Sequence, residues 1–172
     1  MITRSDIFST PVWHITDVPS PLVDELYDAA YKIKENSTEM IDKSNQEGFQ
    51  SIQYEWKDFY PQGKEYITSV VDNIFKNYEM KGWWYNINPQ GAWNIPHNHG
   101  GAHYALVWYL TDSDGLLTLF NPHAQRVIST HNTSINAQKG DIVLFPADLV
   151  HYVMPNPREE DRISISMNLQ LC

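Results

Sequence analysis

Histidine, arginine and serine residues in the second half of this chain have the types and spacing that metal and anion chemistry requires. In Trp93-Asn94-Ile95-Pro96-His97-Asn98-His99-Gly100-Gly101, two imidazoles stand at i and i+2. Residues two apart on an extended segment point to the same side. His97 and His99 can therefore converge on one ion, and Pro96 favours the extended approach. Taken alone, the pair fits two exposed or core-satisfied histidines as well as it fits a metal site. A second stretch, Gly140-Asp141-Ile142-Val143-Leu144-Phe145-Pro146-Ala147-Asp148-Leu149-Val150-His151, is a glycine turn, an apolar strand, a proline stop and then a histidine. It reads either as a core strand with an incidental histidine or as a strand that delivers His151 to the mouth of a barrel. Two neighbouring ligands and one distant ligand form a facial three-residue site with positions left open for substrate or oxygen.

Eleven residues after His151 comes Arg162-Ile163-Ser164-Ile165-Ser166-Met167-Asn168. Its alternation puts Arg162, Ser164, Ser166 and Asn168 on one face and Ile163, Ile165, Met167 and Leu169 on the other. The polar face is either solvated or turned into a barrel. In a barrel it needs a partner, because an unpaired buried polar group costs roughly 1–3 kcal/mol. A dicarboxylate meets that need, with Arg162 as a two-pronged donor and Ser164 as a hydroxyl on the same carboxylate.

Other chemistry-bearing residues carry less. His14, His123 and His131 have no convergent partners in the sequence, and His103 is only a substitute for His99. Asp148 reads as a turn aspartate bonding backbone, and Asp112-Ser113-Asp114-Gly115 as a hairpin turn rather than a calcium loop. Trp83, Trp84, Trp93 and Trp108 read as core residues first; Trp93 is kept as a candidate pocket residue.

The elements that must position these groups divide the chain in two. Residues 6–16 read as one imperfect strand with Pro11 at an edge. Ser20 is expected to cap a helix over 21–36 with Pro21 in its first turn; Leu22, Val23, Leu26, Ala29, Ala30 and Ile33 form its apolar stripe. A long loop over 37–60 carries one short strand near 50–54. A second helix is expected over 62–80, with Tyr66, Val70, Ile74, Phe75 and Tyr78 on its apolar face and Gly82 just past its end. From Trp83 the periodicity shortens to strands at 83–88, 103–111, 116–120, 126–131, 141–145, 150–153 and 162–170, separated by turn signals such as Asn88-Pro89-Gln90-Gly91 and Lys139-Gly140. Helices followed by many short strands imply an α+β chain, mainly β, whose helices pack on one sheet of a jelly roll. Length fits a single domain over 1–172, helical in 1–82 and jelly roll in 83–172.

Composition narrows the partners. The net charge of −9, from 12 basic and 21 acidic residues, repels phosphate backbones, so nucleic acid is not expected. No apolar run approaches the roughly 20 residues of a membrane span. No signal-peptide pattern stands at residues 1–10. The single cysteine, Cys172, permits no intrachain disulfide. A soluble cytoplasmic protein acting on a small-molecule or peptidyl substrate is expected.

Taken together, these stretches resemble the 2-oxoglutarate/Fe(II) oxygenase superfamily. The chain is most similar to a small group, common in phages and bacteria, that opens with lF-x-T-P-v-w; here that opening is Ile7-Phe8-Ser9-Thr10-Pro11-Val12-Trp13. The likeness continues through Trp84-Tyr85-Asn86, Gly91 to His99, Val107-Trp108-Tyr109-Leu110, Gly140 to His151 and Arg162 to Asn168. It implies a double-stranded β-helix holding Fe(II) through His97 and His151, with 2-oxoglutarate gripped by Arg162 and Ser164. Tyr109 is similar to tyrosines that help hold the cosubstrate, with Tyr85, Asn86, Trp93 and Asn168 as further pocket candidates. The implied reaction uses O2, converts 2-oxoglutarate to succinate and hydroxylates a C–H bond. His99 departs from the pattern, which usually has Asp or Glu there. Either His99 is the third ligand, making the site one negative charge poorer and more open to zinc, or it supports a two-ligand centre. A cupin shares the Gly91 and Gly140 spacings, but its expected glutamate is missing from Gly100 to Leu106 and it has no use for Arg162 and Ser164. A non-catalytic jelly-roll binding protein is the third class; structural zinc would usually take four closed ligands.

Overall fold

The structure is a computed structural model that describes residues 1–7, 10–39, 41, 43–114, 117–122 and 132–172, with residues 5–7 described by backbone alone. Twelve strands and two α-helices run in this order among them: β1 (Ile2–Ile7), β2 (Thr10–Ile15), α1 (Ser20–Asn36), β3 (Asn45–Gln46), β4 (Phe49–Gln50), α2 (Pro61–Asp72), β5 (Tyr78–Asn88), β6 (Trp93–His97), β7 (Tyr104–Tyr109), β8 (Leu117–Phe120), β9 (Asn132–Ile135), β10 (Ile142–Pro146), β11 (His151–Val153) and β12 (Arg162–Leu171). They form a seven-stranded sheet ordered β1-β2-β10-β7-β12-β5-β4 and a five-stranded sheet ordered β3-β6-β11-β8-β9. All paired strands are antiparallel. This is the expected double-stranded β-helix, with the helices on one sheet.

Two apolar clusters hold it together. The outer one packs Leu22, Val23, Leu26 and Ala30 of α1 and Ile67, Val70 and Val71 of α2 against Trp83, Tyr85, Ile87, Trp108, Ile163, Ile165, Met167 and Leu169 of the large sheet. The inner one lies between the sheets and joins Val107, Leu117, Leu119, Val143 and Phe145. Among the described residues, no helix is long and apolar enough to cross a membrane. Cys172 is a free, exposed thiol.

Several boundaries differ from the sequence reading. The N-terminal segment is a hairpin, β1 with β2, in which Pro11 lies opposite Asp6 on the outer strand. Pro19, not Ser20, caps α1: its extended ψ of 123° turns the chain, its carbonyl accepts from Leu22 and Val23, and no side chain caps the helix. The second helix stops at Asp72 rather than near 80. Phe75 leaves it to pack on Tyr104 and Trp13, and Tyr78 begins β5 opposite Leu171. Helical spacing of aromatics there is overridden by the long β5–β12 pairing. Gly82 accordingly lies inside β5, where a Cβ would come within 2.8 Å of the Tyr54 carbonyl. The loop over 37–60 holds two short strands, β3 and β4, which pair with β6 and β5 in different sheets and so link the two. The strand expected at 126–131 lies outside the described residues, as do His123 and His131; β9 follows at Asn132–Ile135.

Candidate metal and anion site

The cavity between the sheets is built by a strand pairing and a bulge. His97 ends β6 and His151 begins β11, and the two are direct cross-strand partners. Two residues further along β11, Val153 lies opposite Asn94, three residues from His97, so β6 carries one extra residue at Ile95-Pro96. Pro96 has no N–H to give a ladder. The bulge lets Asn94 and His97 both face inward, and both line the cavity. His99, just beyond β6, is fixed by its backbone N–H donating to Ala147 O at 2.7 Å.

The three rings meet. Their centroids are 4.3 Å apart for His97 and His151, 5.1 Å for His99 and His151 and 5.4 Å for His97 and His99. One ring nitrogen from each lies within 4.8 Å of the others. Each Nδ1 faces an oxygen: Ile95 O at 2.7 Å for His97, Leu149 O at 2.9 Å for His151 and Asn168 Oδ1 at 2.7 Å for His99. Oxygen acceptors assign the proton to Nδ1 and leave every Nε2 lone pair free, the tautomer that metal binding needs. Burial keeps the rings neutral: it lowers the His97 pKa, takes His99 down to about 4 against the pull of Asn168, and holds His151 well below its ordinary value, helped by the other two rings. Three converging neutral imidazoles fit a divalent transition metal such as iron or zinc.

Arg162, the first residue of β12, lines the same cavity and is 5% exposed. Its guanidinium donates to Met154 O at 2.9 Å and Ala92 O at 3.4 Å. Burial lowers its pKa, yet a guanidinium stays charged throughout the physiological range. Among the described residues no carboxylate pairs with it, and a buried unpaired charge is costly. Tyr109 is fully enclosed, and its hydroxyl lies near Ser113 without a hydrogen bond of normal geometry among the described residues. Burial pushes its pKa up to about 12 despite Arg162 and Ser113 nearby, so it remains a neutral donor. Ser164 sits between Tyr109 on β7 and Asn86 on β5 and lines the same space. A cation and two hydroxyls thus converge, a donor set that suits a carboxylate.

A wall of amides completes the cavity. Asn86 Nδ2 donates to Ser166 Oγ at 3.1 Å, Asn45 Nδ2 to Asn88 Oδ1 at 3.0 Å, Asn88 Nδ2 to Asn94 Oδ1 at 3.3 Å and Asn94 Nδ2 to Ser44 Oγ at 3.3 Å. This wall keeps the space polar without adding charge.

The structure brings together His97, His99, His151, Arg162, Ser164, Tyr109, Asn86 and Asn168. Two pocket candidates lie elsewhere. Tyr85 has the opposite strand phase to Asn86; it is buried in the helix-facing core, with its hydroxyl donating to Leu26 O at 2.9 Å. Trp93 neighbours the inward Asn94 and so points away from the cavity, on a residue paired with Gln46. His103 is on the surface, its Nδ1 accepting from Leu171 N, and His14 pairs with Asp141 at 2.8 Å. Asp148 is exposed in its turn. Trp83 and Trp108 are core, whereas Trp84 lines the cavity with its ring 5.4 Å from His99. Sequence reasoning read Trp84 as core first and missed Asn88 and Asn94. The phase of Trp84-x-Asn86-x-Asn88 was a usable signal; the bulge at β6 and the strap of β3 and β4 had none.

Residues 82–168, just over half of the chain, match the model of a family described as "Putative 2OG-Fe(II) oxygenase". No curated protein matches the chain in sequence. Solved structures share the fold. A prolyl-4-hydroxylase from Pseudomonas putida is 14% identical, covers 99% of this chain and 92% of its own, and gives a TM-score of 0.67. HygX from Streptomyces hygroscopicus, solved with nickel and 2-oxoglutarate bound, is 11% identical over 94% of this chain and 83% of its own, with a TM-score of 0.70. The α-ketoglutarate-dependent epimerase SnoN from nogalamycin biosynthesis is 12% identical over 92% and 77%, with a TM-score of 0.71.

Proposed function

The chain belongs to the 2OG-Fe(II) oxygenase family, with Fe(II) and 2-oxoglutarate as cofactors, and from that premise we propose that it hydroxylates a C–H bond of a small-molecule or peptidyl substrate. His97, His99 and His151 hold the iron through their Nε2 atoms. Arg162, with Ser164 and Tyr109, holds the distal carboxylate of 2-oxoglutarate. The observation that carries this reading is the buried guanidinium of Arg162, without a carboxylate partner among the described residues, in the same cavity as three imidazoles with free Nε2 atoms.

When bound, the metal with 2-oxoglutarate and O2 supplies an oxidant for C–H bonds, 2-oxoglutarate leaving as succinate and CO2. The chain's own residues orient and seal. Ile95 O, Leu149 O and Asn168 Oδ1 fix the three rings, so little reorganisation is needed on metal binding. Three imidazoles add no negative charge, which leaves the ion's charge for the cosubstrate dianion. Val107, Leu117 and Val153 line the apolar part of the cavity and limit water. Tyr109 and Ser164 donate to the carboxylate, and Arg162 neutralises it.

Anaerobic titration tests this. Fe(II) and 2-oxoglutarate added together should give a weak visible charge-transfer band that neither gives alone. Admission of O2 should then yield succinate, and a mass-spectrometric search should find a product heavier by one oxygen. Metal binding without any oxoacid-dependent band would favour the cupin-like reading. Succinate with a substrate changed by loss of hydrogen or inverted stereochemistry would keep the oxygenase chemistry and exclude hydroxylation.

A further inference from the structure

The metal cavity adjoins a second space of about 320 Å³, lined by Trp84, Ile95, Asn98, Gln50 and Lys43 among others. That volume lies in the range of small-ligand sites. Ser44, Trp84, His97 and His99 line both spaces, so an occupant of the outer one faces the imidazoles. With 2-oxoglutarate assigned to the Arg162 end, the outer space is left for the molecule to be oxidised.

Two residues there have recognition capacity that no described residue uses. Gln50 lies on β4 opposite Asn86 and is 5% exposed. Its backbone is satisfied, the carbonyl accepting from Ile41 N at 3.2 Å. Its side-chain Oε1, however, is buried and accepts no hydrogen bond among the described residues. Such an oxygen costs roughly 1–3 kcal/mol unless a donor reaches it. Trp84 is only half-buried, unlike Trp83 and Trp108, and offers a flat apolar surface beside His99. Ile95 adds a second apolar wall.

We infer that Gln50 is a specificity-determining residue: its Oε1 accepts a hydrogen bond from an N–H or O–H group of the substrate, while an adjoining apolar part rests on Trp84 and Ile95. The substrate is therefore an amide- or hydroxyl-bearing molecule with an apolar flank, and this rests on the oxygenase reading above. A site built around an acceptor rejects an analogue that lacks the donor, because the acceptor is then left buried and unpaired.

The test is calorimetric, on the full chain loaded anaerobically with Fe(II) and 2-oxoglutarate. Three probes share a branched apolar skeleton: N-acetyl-leucine N-methylamide, 4-methylpentane-1,2-diol, and the donor-free O-acetyl-leucic acid methyl ester. The amide or the diol should bind roughly tenfold tighter than the ester, and which of the two leads identifies the donor. Gln50→Met, of similar length but without the acceptor, should abolish the preference and leave the visible metal–oxoacid band in place. Equal binding of all three probes by the unaltered protein, binding of none, or a preference that survives Gln50→Met would overturn the inference. The wild-type comparison decides even if the variant fails to fold. A band with no donor preference refutes only the role of Gln50; absence of the band removes the oxygenase reading and this inference together.

Discussion

On the outward face of β5 and β12, Trp83, Tyr85, Ile87, Ile163, Ile165, Met167 and Leu169 are sealed against α1 and α2. On the inward face of the same strands, Trp84, Asn86, Asn88, Arg162, Ser164, Ser166 and Asn168 line the cavity. The backbone ladder is common to both, so the contrast lies in what each face asks of its surroundings. The outward face is complete in the folded chain: its side chains need only apolar contact, which the helices supply. The inward face is incomplete. Its amides are bonded to Ser166, His99, Asn45 and Asn94, but the Arg162 charge has no carboxylate partner among the described residues, and the Tyr109 hydroxyl on neighbouring β7 makes no hydrogen bond of normal geometry among them. One face stabilises the protein, and the other holds groups at some cost to stability where a ligand can use them.

Substitutions should separate the two faces. The largest effect on the inward face is expected from Arg162→Ala: affinity for 2-oxoglutarate should fall on the order of 30- to 3,000-fold, as when a buried charge pair loses one partner, while metal affinity changes little. Anaerobic titration of each component checks this, and equal losses of both would count against the assignment. On the outward face, Ile165→Ala should lower stability by about 2–5 kcal/mol, read from chemical denaturation. The folded fraction should still bind 2-oxoglutarate with wild-type affinity. If affinity falls as well, the two faces are not independent.

Asn168→Ala sits between these extremes. It removes the acceptor that orients His99, and loss of such a partner typically lowers metal affinity about 10- to 100-fold; competition against a metal-sensitive dye measures it. An unchanged affinity would mean that His99 is not a ligand. The smallest effect belongs to Tyr109→Phe. Its hydroxyl makes no hydrogen bond of normal geometry among the described residues, so stability should hold within about 1 kcal/mol or rise. The 2-oxoglutarate affinity should drop by about tenfold or less, since one neutral hydrogen bond is lost. A large loss of stability would show that the hydroxyl serves the fold instead.

The two faces were not equally legible in the sequence. Strict alternation over Arg162 to Leu169 assigned both sides of β12 correctly, because a period of two has only two phases and the apolar one must be buried. The α1 stripe was legible for the same reason at a period of 3.6. Tyr85 went astray because its likeness to cosubstrate-binding tyrosines outweighed its strand phase, which it shares with Trp83 and Ile87. The end of α2 was misplaced because Phe75 and Tyr78 continue a helical spacing while serving the sheet. Asn94 and Gln50 were out of reach: one is turned inward by a one-residue bulge and the other by a two-residue strand, and neither leaves a periodic trace. The three histidines were legible as candidates. Their convergence depends on the β6–β11 register, which the sequence does not state.

The central claim is that His97, His99 and His151 meet on one ion beside a cosubstrate clasped by Arg162. Diffraction at the iron absorption edge, from crystals grown anaerobically with Fe(II) and 2-oxoglutarate, tests it most directly. The account predicts one anomalous peak about 2.1 Å from all three Nε2 atoms, with the distal carboxylate of 2-oxoglutarate on the Arg162 guanidinium. A peak away from His99, or a cosubstrate bound without touching Arg162, would contradict it.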